Sequence, residues 1–327
     1  MNPYDKLFKK GVKHMQNIVV AGGGVLGSQI AFQAAYCGFN VTIWLRSEGS
    51  ITRAQPKIDN LKEVYIETIN QMATPEGKTP ANWAKGIADY DTFDKDACLA
   101  NVEKAYESLK LELDLGKAVQ DADLIIESMA ENTDEKIAFY KKMSPLLPEK
   151  TIIVTNSSSL LPSKLAKYTG RPEKYLALHF ANYIWKNNIA EVMSQSKTDV
   201  KYFDELISFS EKIRMIPLPV HKEKAGYLLN SMLMPLLCSS MDLYVNGISD
   251  PESIDKAWTL GAGAPRGPFQ ILDIVGLTTA YNIVLSYAKV PSFLTPYNFK
   301  GMEKMLKKYI DEGKLGVSSG EGFYKYK

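Results

Sequence analysis

The sequence predicts an α/β fold in two parts, a doubly wound sheet domain followed by a smaller all-α domain. Three observations carry this expectation. From residue 17 to residue 220 short apolar runs alternate with amphipathic stretches, the pattern of βαβ units whose parallel strands are covered on both faces. The first of these runs opens directly into a glycine-rich turn and then into a stretch that reads only as helix. Beyond Val220 strand signals stop, and apolar residues recur at helical spacing. A length of 327 residues exceeds what one core usually serves, which agrees with two domains.

Taken in order, residues 1–14 are mixed polar and basic (Lys6, Lys9, Lys10, Lys13), lack the apolar core of a secretory signal and read as an extension. The sheet domain is expected over 15–220, with strands at 17–21, 41–45, 123–127, 151–155, 175–180, 189–193 and 215–220. Between 46 and 121 the sequence is polar and rich in Lys and Glu, and breakers interrupt it at 74–80. It reads as two helices joined by a loop, a helical insertion at about 50–120 lying outside the sheet. Asn132 can cap a helix that runs to about Met143, with Glu135 placed to reach back to the cap amide. The helical domain is expected over 221–327, where Asp250-Pro251 marks a capped start with proline at the first helical position.

Composition excludes several classes of function. A hydrophobic share of 45%, a charged share of 23% and a net charge of +2 describe an ordinary globular chain with no broad basic field for nucleic acid. Cys37, Cys98 and Cys238 lie far apart, with no second Cys or His at metal-ligand spacing, so neither a metal nor a disulfide is expected and a reducing, cytoplasmic setting is. The apolar stretch 227–245 is broken by Asn230, Ser231, Pro235 and Asp242 and would carry unpaired polar groups into lipid. It reads as a buried helix or a subunit contact, not a membrane span.

Chemistry first appears in Ile18-Val19-Val20-Ala21-Gly22-Gly23-Gly24-Val25-Leu26-Gly27, a strand running into G-x-G-x-x-G and then into helix. Gly22 permits the tight turn, Gly24 removes a side chain that would block a pyrophosphate, and Gly27 lets helix and strand approach. Phosphate would rest beside Val25 and Leu26 on the helix N-terminus, so a Rossmann-type dinucleotide site is expected here. The end of the second strand bears on which dinucleotide. NAD-selective sites place an acid there to meet the ribose 2′-hydroxyl, whereas this chain has Leu45, then Arg46 and Ser47. A guanidinium and a hydroxyl suit a 2′-phosphate, which favours NADP(H); the other reading is NAD bound without its usual ribose anchor.

Hydride transfer to a dinucleotide needs a proton acceptor, and the chain has three histidines, His14, His179 and His221. His14 and His221 lie in charged, exposed-looking segments. His179 ends an apolar run at the carboxyl edge of the expected sheet, where ligands of open α/β sheets bind. Glu191, in the next strand, can return beside it and orient the ring, although a histidine in an apolar run also reads as an inert core residue. Asn156-Ser157-Ser158-Ser159 and Asn182 are small polar groups near the same edge that suit a reacting oxygen. The serines equally suit the cap of a helix at 160–167.

With these residues in hand, the chain resembles the L-3-hydroxyacyl-CoA dehydrogenase family over nearly its whole length after Met15. The resemblance is colinear. It runs through Gly22 to Gly27, Glu127 to Asn132, Asn156-Ser157-Ser158-Ser159-Leu160, His179-Phe180-Ala181-Asn182 with Glu191, and Gly226-Tyr227-Leu228-Leu229-Asn230. It continues through Gly261 to Phe269, Leu272 to Leu277 and Gly320-Glu321-Gly322-Phe323-Tyr324. The resemblance implies His179 as general base, Glu191 as its orienting acid, and Ser158 and Asn182 on the substrate oxygen, with Asn230 of the helical domain completing the cleft. It also implies that Glu131 and Lys136 meet the nicotinamide half of the cofactor, with Asn156 beside them. A homodimer through the helical domain and a place in fatty acid metabolism are implied as well.

The activity implied is oxidation of a short-chain L-3-hydroxyacyl-CoA to the 3-ketoacyl-CoA with NAD or NADP, or the reverse. Alternatives on the same scaffold are a dehydrogenase of free 3-hydroxy acids or hydroxylated sugar acids, and a non-catalytic NAD(P)-binding protein. The chain departs from the family at Leu45, at Tyr183-Ile184-Trp185-Lys186-Asn187-Asn188 beside His179, and across 46–121, where the family's coenzyme A contacts lie. Lys57 and Lys62 in that segment are candidates for the coenzyme A phosphates, or simply solvated lysines.

Overall fold

The strands expected from apolar runs form one eight-stranded sheet in the computed structural model, which describes residues 15–80, 82–289 and 295–326. The extension at 1–14 lies outside the described residues. Contacts divide the chain into two units, residues 1–228 and 229–327.

In the first unit the strands are β1 (Asn17–Ala21), β2 (Asn40–Trp44), β3 (Lys110–Glu112), β4 (Leu124–Glu127), β5 (Ile152–Thr155), β6 (Tyr175–Phe180), β7 (Ile189–Met193) and β8 (Ile216–Val220). They lie in the order β3-β2-β1-β4-β5-β6-β7-β8. Neighbours from β3 to β6 pair in parallel, β7 runs antiparallel to β6, and β8 runs parallel to β7. β4, β5 and β6 are buried along their full length, which is why they read as unbroken apolar runs rather than alternating ones.

The insertion differs from its expectation. It holds the two anticipated helices, α2 (Glu48–Met72) and α3 (Lys95–Ser108), but it also supplies β3, which pairs with β2 through Thr42↔Lys110, Ile43↔Leu111 and Trp44↔Glu112. A three-residue strand with one apolar residue has too little pattern to be read locally. Nor does the segment lie merely outside the sheet. Ala54, Ile58, Leu61, Tyr65, Ile69 and Met72 recur three or four residues apart along α2 and are buried in the main core with α1 (Val25–Tyr36). The buried Tyr65 hydroxyl donates to Gln33 Oε1 of α1 at 2.5 Å.

After α4 (Leu115–Val119) comes α5 (Thr133–Met143), the helix anticipated from Asn132. Asn132 Oδ1 accepts from the amides of Asp134 and Glu135 at 3.0 and 3.1 Å, so the cap is as expected. The Glu135 carboxylate does not reach back to the cap; it accepts instead from Arg46 at 2.9 Å. The helix expected at 160–167 is short, α6 (Pro162–Leu165) with a 3₁₀ turn behind it, and α7 (Val200–Lys212) joins β7 to β8.

Residues 221–228 pack with the first unit, so the division falls after Leu228 rather than at His221. Specific bonds hold this linker: the Ser163 amide donates to Glu223 Oε1 at 2.7 Å, and the amides of Gly226 and Leu228 donate to the Ser158 carbonyl and to Glu191 Oε1 at 3.2 and 2.8 Å.

The second unit holds α8 (Leu229–Val245), α9 (Pro251–Ala262), α10 (Pro268–Val275), α11 (Leu277–Ala288) and α12 (Phe299–Asp311). Asp250 Oδ1 caps α9 by accepting from Ser253 N at 2.9 Å. Leu237, Met241, Phe269, Leu272, Leu277, Met302 and Leu306 form its core. The buried carboxylate of Asp273 accepts from the amides of Phe323 and Tyr324 and from the Tyr326 hydroxyl, tying residues 323–326 to α10. Among the described residues no single helix is long and apolar enough to cross a membrane. The same residues contain no group of three His, Cys, Asp or Glu suited to a metal ion.

Candidate active site

The site assembles where β1, β4, β5 and β6 end, and its first element is the glycine loop after β1. Gly22 has φ +117°, and a Cβ there would fall 2.6 Å from the Ser128 carbonyl oxygen. A Cβ on Gly27 would fall 2.1 Å from the carbonyl oxygen of Gly22, so both positions require glycine. Gly24 is different: nothing lies within 4 Å of its absent Cβ, and as the N-cap of α1 it offers no side-chain cap to the amides behind it. An uncapped helix start beside open space, with Val25 exposed, fits a pyrophosphate.

Gly23, which the motif treats as a spacer, is packed as tightly as Gly22. Its absent Cβ would meet Ala54 Cβ at 2.7 Å and Leu45 Cδ2 at 2.9 Å. Leu45 is 3% exposed and serves the packing between the loop and α2, so its side chain is a floor for the loop rather than a ribose contact. What this strand end offers to the surface is Arg46, 63% exposed, with Ser47, Ser50 and Arg53 behind it. Ser47 Oγ lies 3.0 Å from Ser50 Oγ, which accepts from Arg53 at 3.1 Å.

Glu127 closes β4 and is fully buried. Every acceptor lobe is engaged: Oε1 takes the Met129 amide at 2.8 Å and Lys136 Nζ at 2.5 Å, and Oε2 takes the hydroxyls of Tyr140 and Thr155 at 2.9 and 2.8 Å. Burial first, and then the Glu127 charge, holds the Tyr140 hydroxyl far above its ordinary pKa, so it stays a donor. Lys136, with 1% of its side chain exposed, also lies 3.5 Å from Glu131 Oε2. Its ammonium is therefore committed within the protein, and Glu131 is the member of the pair that reaches the surface. Glu131 Oε1 accepts from the Ser157 hydroxyl at 2.5 Å and from the Ser159 amide and hydroxyl at 3.0 and 2.8 Å. Burial raises its pKa, but these bonds together outweigh burial and hold the carboxyl below its usual range.

His179 and Glu191 stand directly opposite in the antiparallel β6–β7 pair. They are 4% and 1% exposed, with Nδ1 of the ring 2.9 Å from Glu191 Oε2. On the other side of the ring Nε2 lies 3.0 Å from the hydroxyl of Ser158, a residue that is exposed. Glu191 keeps its second oxygen on the Leu228 amide. The Tyr227 ring lies flat on the imidazole, with centroids 4.4 Å apart and 8° between planes. Asn156 bridges the strand ends, its Oδ1 accepting from the Phe180 amide at 3.1 Å and its Nδ2 donating to Ser128 Oγ at 3.2 Å.

The serine run thus divides its work: Ser158 faces His179, Ser157 and Ser159 hold Glu131, and Ser157 Oγ also accepts from the Leu160 amide at 2.9 Å. One expected member is not held in this cluster. Asn182 is exposed, and its side chain makes no hydrogen bond among the described residues. Asn230 is the second residue of α8, in the C-terminal unit. In the divergent stretch beside Asn182, Ile184 and Trp185 are buried in the main core, where Trp185 lies 5.4 Å from Tyr65; Tyr183, Lys186 and Asn187 stay exposed.

Sequence reasoning gave no role to Glu127 or Tyr227. Glu127 carried a usable signal, an acid closing an apolar run, the same signal that drew attention to Glu191. Tyr227 carried none beyond its place in a glycine-containing motif.

Comparison with known proteins finds relatives along nearly the whole chain. A family model described as the 3-hydroxyacyl-CoA dehydrogenase NAD binding domain matches residues 17–224, and its C-terminal domain counterpart matches residues 226–326. The mitochondrial hydroxyacyl-coenzyme A dehydrogenase of Homo sapiens is 31% identical over 316 residues, 97% of this chain and 92% of its own length. The 3-hydroxybutyryl-CoA dehydrogenase of Clostridioides difficile is 30% identical over 94% of this chain and 99% of its own. Among solved structures, a diketoreductase described for substrate-directed dual catalysis of dicarbonyl compounds is 44% identical, with a TM-score of 0.82 over 96% of this chain and all of its own.

The buried ion pair yields a first prediction. Glu127→Gln leaves the Lys136 ammonium in the interior without its close carboxylate and should cost about 3 to 5 kcal/mol of stability in urea unfolding. A loss under about 1 kcal/mol would show that the pair is not held as described.

Proposed function

The chain belongs to the 3-hydroxyacyl-CoA dehydrogenase family, and on that premise we propose that it moves a hydride between a nicotinamide cofactor and C3 of a short-chain L-3-hydroxyacyl-CoA. The observation that carries this reading is the imidazole of His179 set between a buried carboxylate and an exposed hydroxyl, at 2.9 and 3.0 Å.

Glu191 accepts a hydrogen bond from Nδ1–H and so fixes the tautomer in which Nε2 bears the free lone pair. In the oxidation direction Nε2 takes the proton of the substrate hydroxyl, Ser158 holds that oxygen in line, and Glu191 stabilises the imidazolium that results. In reduction the imidazolium returns the proton to the carbonyl oxygen. When bound, the nicotinamide supplies the hydride acceptor or donor for C3. Gly22, Gly24, Val25, Leu26 and Gly27 would hold its pyrophosphate, while Glu131 and Asn156 would face the nicotinamide half, with Lys136 acting through Glu131. Asn182 and Asn230 remain assigned to the substrate by the family motif alone.

A second substrate reading has its own support. The diketoreductase is more similar in sequence than the two coenzyme A enzymes, at 44% against 31% and 30%. The lysines suited to coenzyme A phosphates are also engaged elsewhere: Lys62 pairs with Glu103 at 2.6 Å, and Lys57 donates to the Arg53 carbonyl. That reading keeps the chemistry and replaces the thioester by a free hydroxy acid or dicarbonyl compound.

His179→Gln should lower kcat about 10²- to 10⁴-fold while NADH still binds. Unchanged turnover would return the chain to a non-catalytic, dinucleotide-binding role. Wild-type rates on 3-hydroxybutyryl-CoA should exceed those on free 3-hydroxy acids and diketones; turnover of the free compounds alone removes the thioester assignment.

For the cofactor, the proposed preference is NADP(H). Arg46 and Arg53 are the cationic groups at the end of β2, with the acid Glu48 beside them, and the exposed pair that Arg46 makes with Glu135 is worth at most about 1 kcal/mol, so a 2′-phosphate can displace it. Fluorescence titration should give tighter binding of NADPH than of NADH, with Arg46→Ala reducing the difference. Tighter NADH binding defeats the preference.

The proposed assembly is a homodimer through the helical unit, where Met232, Ile248, Trp258 and Leu260 are exposed, Leu260 to 83%. Sedimentation equilibrium should return twice the chain mass and Leu260→Asp should lower it; a monomeric wild-type mass would refute the assembly.

A further inference from the structure

Three consecutive linker residues grip the three members of the His179 cluster, one each. The Gly226 amide donates to the carbonyl of Ser158 at 3.2 Å, the Tyr227 ring covers His179, and the Leu228 amide donates to Glu191 Oε1 at 2.8 Å. The Tyr227 hydroxyl adds a fourth tie, donating to the Ser157 carbonyl at 2.8 Å. The backbone bends sharply to achieve this. Gly226 has φ +82° and Tyr227 has φ +51°, a region that a bulky residue rarely adopts, and Tyr227 is 1% exposed despite its polar end.

Flat stacking at 4.4 Å sets the π face of the phenol against the imidazole, and a π face carries the negative part of the ring's quadrupole. A neutral imidazole gains little from that face, whereas an imidazolium gains a cation–π attraction in a site screened from water. We infer that Tyr227 is a positioning residue for proton transfer: its ring stabilises the protonated form of His179, and its hydroxyl fixes the serine strand end against which that ring is set. The inference rests on the reading of His179 as the proton-transfer group.

The groups that face the stack come from several elements. Glu191 lies on β7, Glu127 ends β4 with its charge met by Lys136, Glu131 follows β4, Glu223 precedes the linker turn, and Ser158 is neutral. Burial first and then these carboxylates hold the Tyr227 hydroxyl well above its ordinary pKa, so the phenol stays a neutral donor across the working range.

The chain has three histidines, so imidazole resonances can be followed individually by long-range ¹H–¹⁵N spectra, with His179→Gln identifying the relevant one. Tyr227→Leu keeps an apolar wall and removes the π face. It should lower the titration midpoint of His179 by about half to one pH unit. Lower imidazole affinity for protons moves the acid limb of the oxidation profile to lower pH by the same amount, and moves the basic limb of the reduction profile down with it. Tyr227→Phe keeps the face and loses the hydroxyl; its midpoint should stay within about 0.2 unit of wild type while kcat falls several-fold. A midpoint in Tyr227→Leu that is unchanged or higher overturns the inference. Should that variant fail to fold by circular dichroism, a drop of half a unit or more in Tyr227→Phe overturns it on its own. The ring titration needs no substrate, so it is read separately from the His179→Gln turnover test: full activity there sinks the assignment of His179, whereas an unmoved midpoint sinks the role of Tyr227.

Discussion

The reversal of chain direction between β6 and β7 is the constraint on which the candidate site depends. Up to β6 the sheet is parallel, so every strand delivers its last residue to the same edge. β7 comes back antiparallel, and in that register His179 pairs with Glu191 directly. Directly opposed residues carry side chains on the same face at a separation of about 5 Å between Cβ atoms, which leaves a histidine and a glutamate in hydrogen-bond reach without loop participation. A slip of one residue would send the carboxylate to the opposite face of the sheet. The hydrogen bond between the two is therefore a property of strand register, and it inherits the rigidity of the buried strands that carry it.

Burying carboxylates at this edge would be prohibitive without partners, and the two buried here are solved differently. Glu127 is locked by a lysine, two hydroxyls and an amide, all from the first unit, and has no lone-pair direction left for a ligand. Glu191 accepts from the Leu228 amide and faces an imidazole whose other nitrogen meets an exposed serine. The first arrangement resists any change of charge, and the second is open to a proton arriving at Nε2. Glu131 stands between these cases. Its bonds to Ser157 and Ser159 join the end of β4 to the end of β5, so the serine that meets His179 sits between two that are fixed by an acid.

Much of this was legible locally. Every strand of four or more residues coincides with an apolar run to within about a residue, and in β4, β5 and β6 full burial leaves no polar interruptions to blur the pattern. The Asn132 cap was legible because its acceptor and donors lie within three residues. The partner of Glu135 was not, since the guanidinium that took it lies 89 residues away in sequence and a nearby amide was the only visible candidate. The insertion misled because averaged polarity hides an apolar stripe: α2 is polar overall, yet one face of it reaches the main core. The resemblance marked the segment containing Tyr227, but stacking between residues 48 positions apart leaves no trace in spacing.

Leu45 shows why a motif position can change chemistry without any change of fold. Its side chain fills the space beneath Gly23 and against Ala54 of α2, so the glycine loop is propped by the insertion helix through this one residue. A carboxylate with the same burial would lack a partner among those neighbours, and the cost of an unpaired buried charge far exceeds what one ribose hydrogen bond returns. Once α2 closes over the loop in this way, an acid at position 45 is excluded by packing, whichever dinucleotide is bound. The polar groups that this strand end presents to the surface are then those one step further along the chain, where Arg46 is exposed and Ser47, Ser50 and Arg53 stand behind it.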